Sequence, residues 1–262
     1  MNVVKIIRMK AGRGSVMVKR NRKNLERSAL LAGNAPFAYV EAYKTLRTNL
    51  SFSSINKQYK KIIITSAIPG EGKSTVAVNL AITLAESEAK VLLVGCDMRN
   101  PTLSRMLGVH SNYKEGLTSV LTNKTTEEEC IFCNPKLKCD VLLAGTTPPN
   151  PAELLSSPQM KDLLDRLSAK YDYIICDTPP VSVVTDAAAL SQFCDGVILV
   201  VRHKTTSRDR VWAAKRNLDA VQANIIGTVL SGYDMSNDTQ AGKMYYDGYY
   251  RYGYPFNRKI SK

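Results

Sequence analysis

The sequence predicts an α/β protein built on a single doubly wound, mostly parallel sheet with helices on both faces. Three observations predict it. Short runs rich in Val, Ile and Leu recur along the chain and are apolar on both faces, as strands must be when both their faces are covered. Helical stretches separate these runs, which is the alternation of a parallel sheet. One junction, "TSAIPGEGKST" at residues 65–75, passes from a strand through two glycines directly into a helix.

Residues 1–35 open the chain with nine Lys and Arg against the single acid Glu26. Such a segment reads as a flexible basic arm, solvated or in contact with anionic lipid headgroups or nucleic acid. "PFAYVEAYKTLRTNLSF" then puts Phe37, Val40, Tyr43, Leu46 and Leu50 near helical spacing, so residues 36–52 read as a helix. "KIIITS" (61–66) is a buried strand, and "GEGKSTVAVNLAITLAES" is the helix that follows its loop. Further strands are expected at 90–95, 140–145, 171–177, 196–201 and 224–231, with helices at 158–169, 185–193 and 206–222. Residues 146–158, "TTPPNPAELLSSP", read as a proline-rich loop at the carboxyl end of a strand, where ligands of open α/β sheets bind. Trp212, the only tryptophan, is placed in the apolar register of the 206–222 helix. Residues 36–235 therefore form one domain, followed by a flexible tail at 236–262.

At 262 residues the chain is long enough for one large core. Its 44% hydrophobic and 23% charged composition is that of a soluble globular protein. No apolar run approaches the roughly 20 residues that span a bilayer, and the first residues lack a secretory h-region. A cytosolic protein is expected. Cys130, Cys133 and Cys139 form a C-x2-C-x5-C run, but a structural zinc site wants four ligands and the histidines, His110 and His203, are distant. The six cysteines read as reduced structural thiols.

The chemistry concentrates at residues 67–75. Gly70 and Gly72 let the backbone turn its amides toward phosphate oxygens, and the helix start adds its positive end. Lys73 is placed to reach the β- and γ-phosphates, Ser74 to ligate Mg²⁺, and Glu71 and Thr75 complete the nucleotide-binding loop. Ala67 stands where the strict pattern has its first glycine. Two more strands end in acids, Asp97 in "VLLVGCDMRNP" and Asp177 in "YIICDTPP". Carboxylates at the carboxyl ends of neighbouring strands are suited to hold Mg²⁺ and orient an attacking group. ATP and Mg²⁺ are the cofactors this reading requires, with Lys73, Asp97 and Asp177 as the catalytic set.

This constellation resembles the Walker A, Walker A′ and Walker B trio of the MinD/ParA-like P-loop ATPases. Within that group it resembles the bacterial tyrosine kinases of capsular and exopolysaccharide biosynthesis. The features that carry the resemblance are "PGEGKS" without the partition ATPases' extra lysine, "EAYKTLRTNL" at 41–50, "PPNPAELLSS" at 148–157 and the terminal "YYDGYYRYGY". It implies an ATP-dependent protein-tyrosine kinase that regulates polysaccharide polymerisation and export. It also implies that Tyr245, Tyr246, Tyr249, Tyr250, Tyr252 and Tyr254 are autophosphorylated, and that Glu41, Lys44 and Arg47 contact a neighbour in a homo-oligomeric ring. A transmembrane chain-length regulator would activate the kinase and recruit it to the inner face of the membrane. Other cytosolic tyrosine-containing proteins would be substrates, and no nucleic-acid partner is expected. Two positions depart from the family pattern: Gly95 replaces the first of two Walker A′ acids, and Lys44 replaces an arginine. Gly95 keeps open a second reading, a catalytically weak ATP-binding adaptor, and a partition-type ATPase is a third.

Overall fold

The chain is described here by a computed structural model covering residues 3–7, 30–31, 35, 37–53, 58–109 and 115–233. The tail tyrosines at 245–254 and most of the basic arm lie outside the described residues. The strands are β1 (Val3–Ile7), β2 (Lys61–Ser66), β3 (Val91–Gly95), β4 (Phe132–Asn134), β5 (Cys139–Leu142), β6 (Tyr173–Asp177), β7 (Gly196–Arg202) and β8 (Ile225–Tyr233). The helices are α1 (Phe37–Ser53), α2 (Lys73–Ala85), α3 (Leu103–Leu107), α4 (Leu117–Leu121), α5 (Glu127–Cys130), α6 (Pro151–Leu155), α7 (Pro158–Lys170), α8 (Asp186–Ser191) and α9 (Arg208–Ala220).

The strands form one eight-stranded sheet in the order β1-β8-β7-β2-β6-β3-β5-β4. Every pairing is parallel except β4 with β5. Ile62, Ile63 and Ile64 of β2 are fully buried, as are Leu92 and Leu93 of β3 and Ile174 and Ile175 of β6. Their alternate side chains feed two apolar layers. Ile62, Ile64, Leu93 and Ile175 pack with α1 and α2, whereas Ile63, Leu92, Ile174 and Leu199 pack with α7, α8 and α9. These central strands bury side chains in both layers, which is why the sequence showed runs rather than alternation.

Four details differ from the sequence reading. Val3–Ile7 falls within the expected flexible arm, yet it is a strand in parallel register with β8; the β-branched "VVKII" suits an edge strand. The expected 146–158 loop contains helix α6, with Pro151 in its first turn, where a missing N–H costs nothing. The three-residue strand β4 gives the sheet an antiparallel edge. Trp212 is 54% exposed, because Ala214 and Leu218 form the buried stripe of α9 and Trp212 lies about 200° around the helix from Ala214.

Helix α1 packs on α2 through polar as well as apolar contacts. The Tyr39 hydroxyl accepts from Asn79 Nδ2 at 2.9 Å, and Asn79 Oδ1 accepts from the Leu31 amide at 2.9 Å. Arg47 Nη1 donates to the Thr83 carbonyl at 2.8 Å. Burial pushes the Tyr43 phenol well above its ordinary range.

Candidate active site

The loop between β2 and α2 turns twice through the left-handed region, at Gly70 (φ 82°) and Gly72 (φ 91°). Only glycine adopts that conformation without cost. A Cβ on Gly70 would meet nothing within 4 Å, so that side of the loop faces open space. Gly72 caps α2 with no side-chain partner for the first turn of amides. The helix therefore begins with N–H groups directed at whatever binds there, and its dipole favours an anion.

Glu71 takes a different place from the one expected of it. It is 1% exposed, and its carboxylate turns away from the loop mouth into the protein. It accepts from the Ile68 amide at 2.8 Å, the Arg202 amide at 3.2 Å and the Thr206 hydroxyl. Arg202 Nη1 completes the brace by donating to the Gly70 carbonyl at 2.8 Å. The loop's shape is thus held by the end of β7 and the turn before α9. Sequence reasoning missed this role, and also those of Arg202 and Thr206, because the partners are more than 130 positions away.

Lys73 and Ser74 are the first two residues of α2, and both are buried. Lys73 Nζ donates to Asp97 Oδ2 at 2.8 Å and to Ser74 Oγ at 3.3 Å, and lies 3.8 Å from Asp177 Oδ1. Burial alone would lower the Lys73 ammonium, but the Asp177 and Asp97 carboxylates outweigh it and hold the group above its usual range. Thr102 donates its hydroxyl to Ser74 Oγ at 3.0 Å. Thr75 is half-buried one position further along α2.

The two acids come together because β3 and β6 are neighbours, with Gly95 opposite Asp177 in register and the Cys96 amide donating to the Asp177 carbonyl at 2.8 Å. Asp97 is shaped by its own turn, its Oδ1 accepting from the Asn100 amide at 3.0 Å. Asp177 is 1% exposed, and neither of its carboxylate oxygens has a hydrogen-bond partner among the described residues. Burial pushes its carboxyl up to about 6, a rise the nearby Lys73 ammonium opposes only in part. A buried carboxylate without donors is costly, and a hard cation satisfies it. No group of three or more His, Cys, Asp or Glu among the described residues is arranged to hold a metal ion by itself. The donor set therefore fits Mg²⁺ held by Ser74, Asp97 and Asp177 together with phosphate oxygens, rather than a closed protein cage. A cleft lined by Gly95, Asp97, Thr102, Leu143, Gly145 and Asp177 opens beside these groups.

Arg99, which the sequence reading did not single out, anchors the segment after Asp97. It pairs bidentately with the fully buried Asp186 at the start of α8, Nε to Oδ2 and Nη2 to Oδ1 both at 2.9 Å. The residues expected at a subunit contact do not join the site. Lys44 Nζ pairs with Glu41 Oε1 at 2.8 Å on the surface of α1, and Arg47 is spent on the Thr83 carbonyl.

Known proteins resemble this chain over most of its length. An AAA-domain family model matches residues 59–228. The tyrosine-protein kinase YwqD of Bacillus subtilis (strain 168) is 38% identical over 86% of this chain and 94% of its own length. Among solved structures, the chimerical protein CapA2B2 superimposes with a TM-score of 0.71 and 37% identity, covering 77% of this chain and 87% of that one. The kinase domain of the Escherichia coli tyrosine kinase ETK gives a TM-score of 0.73 and 31% identity, covering 84% of this chain and 81% of that one.

Proposed function

The chain belongs to the bacterial tyrosine-protein kinases, within the MinD/ParA-like P-loop ATPases, and on that premise we propose that it transfers the γ-phosphoryl group of ATP to its own C-terminal tyrosines. The acceptors are Tyr245, Tyr246, Tyr249, Tyr250, Tyr252 and Tyr254, presented by a neighbouring subunit. The observation that carries this reading is the convergence of Lys73, Ser74, Asp97 and Asp177 at the start of α2.

Each residue has a role that its position supports. The α2 amides and Lys73 bind the phosphates, and Lys73 offsets the negative charge of the transferring group. Ser74, Asp97 and Asp177 would hold Mg²⁺, which when bound would withdraw charge from the phosphate oxygens. The phenol oxygen attacks γ-phosphorus in line, the bond to the β–γ bridging oxygen breaks with its electron pair leaving on ADP, and the phenol proton passes to solvent water. With Gly95 in place of the other acid, Asp97 is the carboxylate left to orient the hydroxyl. A loose transition state asks little of a base, so positioning and charge neutralisation carry the rate.

A tail that enters a neighbour's site acts at high effective concentration, which favours a ring of subunits. Each phosphate adds about −1.5 to −2 charges, so loaded tails repel one another and loosen the ring. No helix among the described residues is long and apolar enough to cross a membrane. The family resemblance assigns recruitment and activation to a transmembrane regulator of polysaccharide chain length, and the output to capsular or exopolysaccharide polymerisation and export.

The test is incubation of the full chain with Mg·ATP, with and without the regulator's cytoplasmic segment, followed by phosphotyrosine detection. Signal is expected from the wild type and none from Lys73→Met or from a tail with all six tyrosines changed to Phe. No phosphotyrosine under any condition would instead make the protein an ATP-dependent adaptor. Sizing chromatography should show the phosphorylated form eluting as a smaller species; an unchanged elution volume would remove the ring-loosening step.

A further inference from the structure

The exposed Trp212 stands on the outer face of α9 with an arginine one turn to either side, Arg208 and Arg216. Both arginines are exposed, and neither side chain has an ion pair or hydrogen bond among the described residues. Lys215 beside them is already paired with Asp219. An indole between two free guanidinium groups matches one kind of ligand closely. The aromatic face takes a second ring, and planar guanidinium groups take a phosphate dianion bidentately. A phosphotyrosine side chain carries both parts.

We propose that this face of α9 docks phosphotyrosines of the chain's own C-terminal segment, residues 234–262, returning a phosphorylated tail to the subunit that bears it. The proposal rests on the reading of the tail as the kinase's product. Its geometric basis is where the described chain stops. β7 and β8 run in parallel, with Arg202 opposite Ser231, so both end at the same edge of the sheet. Tyr233, the last residue of β8, packs its ring on His203 with centroids 4.9 Å apart. Five positions after His203, α9 begins at Arg208. The tail thus departs from the corner where the arginine–tryptophan face starts. The twelve residues from Tyr233 to Tyr245 can extend to about 40 Å, against roughly 5 Å for the helical turn that leads to Trp212.

Charge makes the docking conditional. Residues 234–262 hold Lys243, Arg251, Arg258, Lys259 and Lys262 against Asp234, Asp238 and Asp247. The unmodified segment is net basic and is repelled by Arg208 and Arg216. Two phosphates, at about −1.5 to −2 each, reverse its sign. Phosphorylated-motif recognition by arginines then applies. A docked tail is withheld from a neighbour's active site, which separates product from substrate without any change in the catalytic residues.

Trp212 is the only tryptophan, so its fluorescence reports the face directly. The full-length wild type without nucleotide is titrated with a synthetic peptide spanning residues 245–254, made chemically with or without phosphotyrosines. Because the peptide is synthetic, the outcome does not depend on the kinase reaction, which the phosphotyrosine assay reads separately. The phosphopeptide is expected to change Trp212 emission saturably, to bind more weakly as salt rises, and to bind at least tenfold more weakly to the Arg208→Gln/Arg216→Gln protein. Equal responses to the two peptides would overturn the proposal, as would undiminished binding by the double variant. A response to phosphatidylglycerol vesicles but not to the phosphopeptide would also overturn it and make the face a membrane contact.

Discussion

A Cβ on Gly95 would lie 3.0 Å from the backbone nitrogen of Ala144 and 3.4 Å from Leu103 Cδ1. At the position where the sequence departs from the expected pair of acids, the ends of β3 and β5 have closed to a spacing that suits glycine. Gly95 also stands opposite Asp177 in register, so a carboxylate there would crowd one that is already buried and short of donors. Gly95→Ala should cost about 1 kcal/mol through overpacking, and Gly95→Asp about 2–3 kcal/mol once charge repulsion is added. Neither should speed phosphotyrosine formation. Urea unfolding and the autophosphorylation rate check this, and a faster Gly95→Asp enzyme of undiminished stability would refute the packing argument.

The brace made by Glu71 predicts an effect on nucleotide affinity exerted from outside the phosphate contacts. Glu71→Ala leaves the Ile68 amide without its acceptor and takes from the Arg202 amide one of two, since that amide also donates to the Thr206 hydroxyl at 3.2 Å, a loss of about 1–3 kcal/mol. The loop then has to be ordered by the nucleotide. The KM for ATP should rise roughly tenfold, the equivalent of about 1.4 kcal/mol, with a smaller change in kcat. Glu71→Gln keeps one acceptor oxygen and should fall between the two. A fall in kcat at unchanged KM would instead place Glu71 in the chemistry.

How far the sequence revealed these features depended on how local their signals were. β2, β3, β6 and β7 were legible because strands covered on both faces leave uninterrupted apolar runs. The phosphate loop was legible because Gly70, Gly72 and Lys73 are adjacent in the chain. β4, with three residues at an edge, and the short helices α3, α4 and α5 offered no period to read. Trp212 was misplaced by taking an aromatic residue as a packing residue, although Val211, Ala214 and Leu218 already supply the apolar stripe. Glu71 was read through its motif, and only the fold brings Arg202 and Thr206 to it. Gly95 showed as a departure in the sequence; its reason lies in the approach of β5, some 50 positions on.

Arg99 and Asp186, 87 positions apart, give a test of such a long-range tie. Arg99→Met leaves a fully buried carboxylate without the guanidinium that pairs with it. Removing one partner of a buried pair costs about 3–5 kcal/mol. Arg99 is 41% exposed, so solvent screening reduces the expected loss to about 1–3 kcal/mol. Arg99→Lys should recover less than half of it, because an ammonium lacks the guanidinium fork. Since Arg99 follows Asp97 by two residues, the phosphotyrosine rate should fall in both variants. Loss of stability with an unaltered rate would show that the pair holds α8 without positioning Asp97.

Asp177 predicts a pH dependence with a definite sign. Its folded carboxyl titrates at about 6, against an ordinary value of 3.8. Between roughly pH 4 and 6 the folded state therefore binds more protons than the unfolded state, and stability falls as pH rises through that window. Above it the full penalty is in place, on the order of 3 kcal/mol for a shift of this size. Asp177→Asn removes that penalty, although it also deprives Lys73 of one of its two carboxylates. With nucleotide and Mg²⁺ withheld, the variant should be about 1–3 kcal/mol more stable than wild type at pH 8, and the gain should vanish near pH 4. The same substitution removes a proposed metal ligand, so phosphotyrosine formation should drop at least about a hundredfold, the scale of losing one preorganised electrostatic contact. Urea midpoints from pH 4 to 8 in chelator decide the matter. If Asp177→Asn is the less stable protein at pH 8, Asp177 is a structural partner of Lys73 rather than a carboxylate held at a cost for the cation.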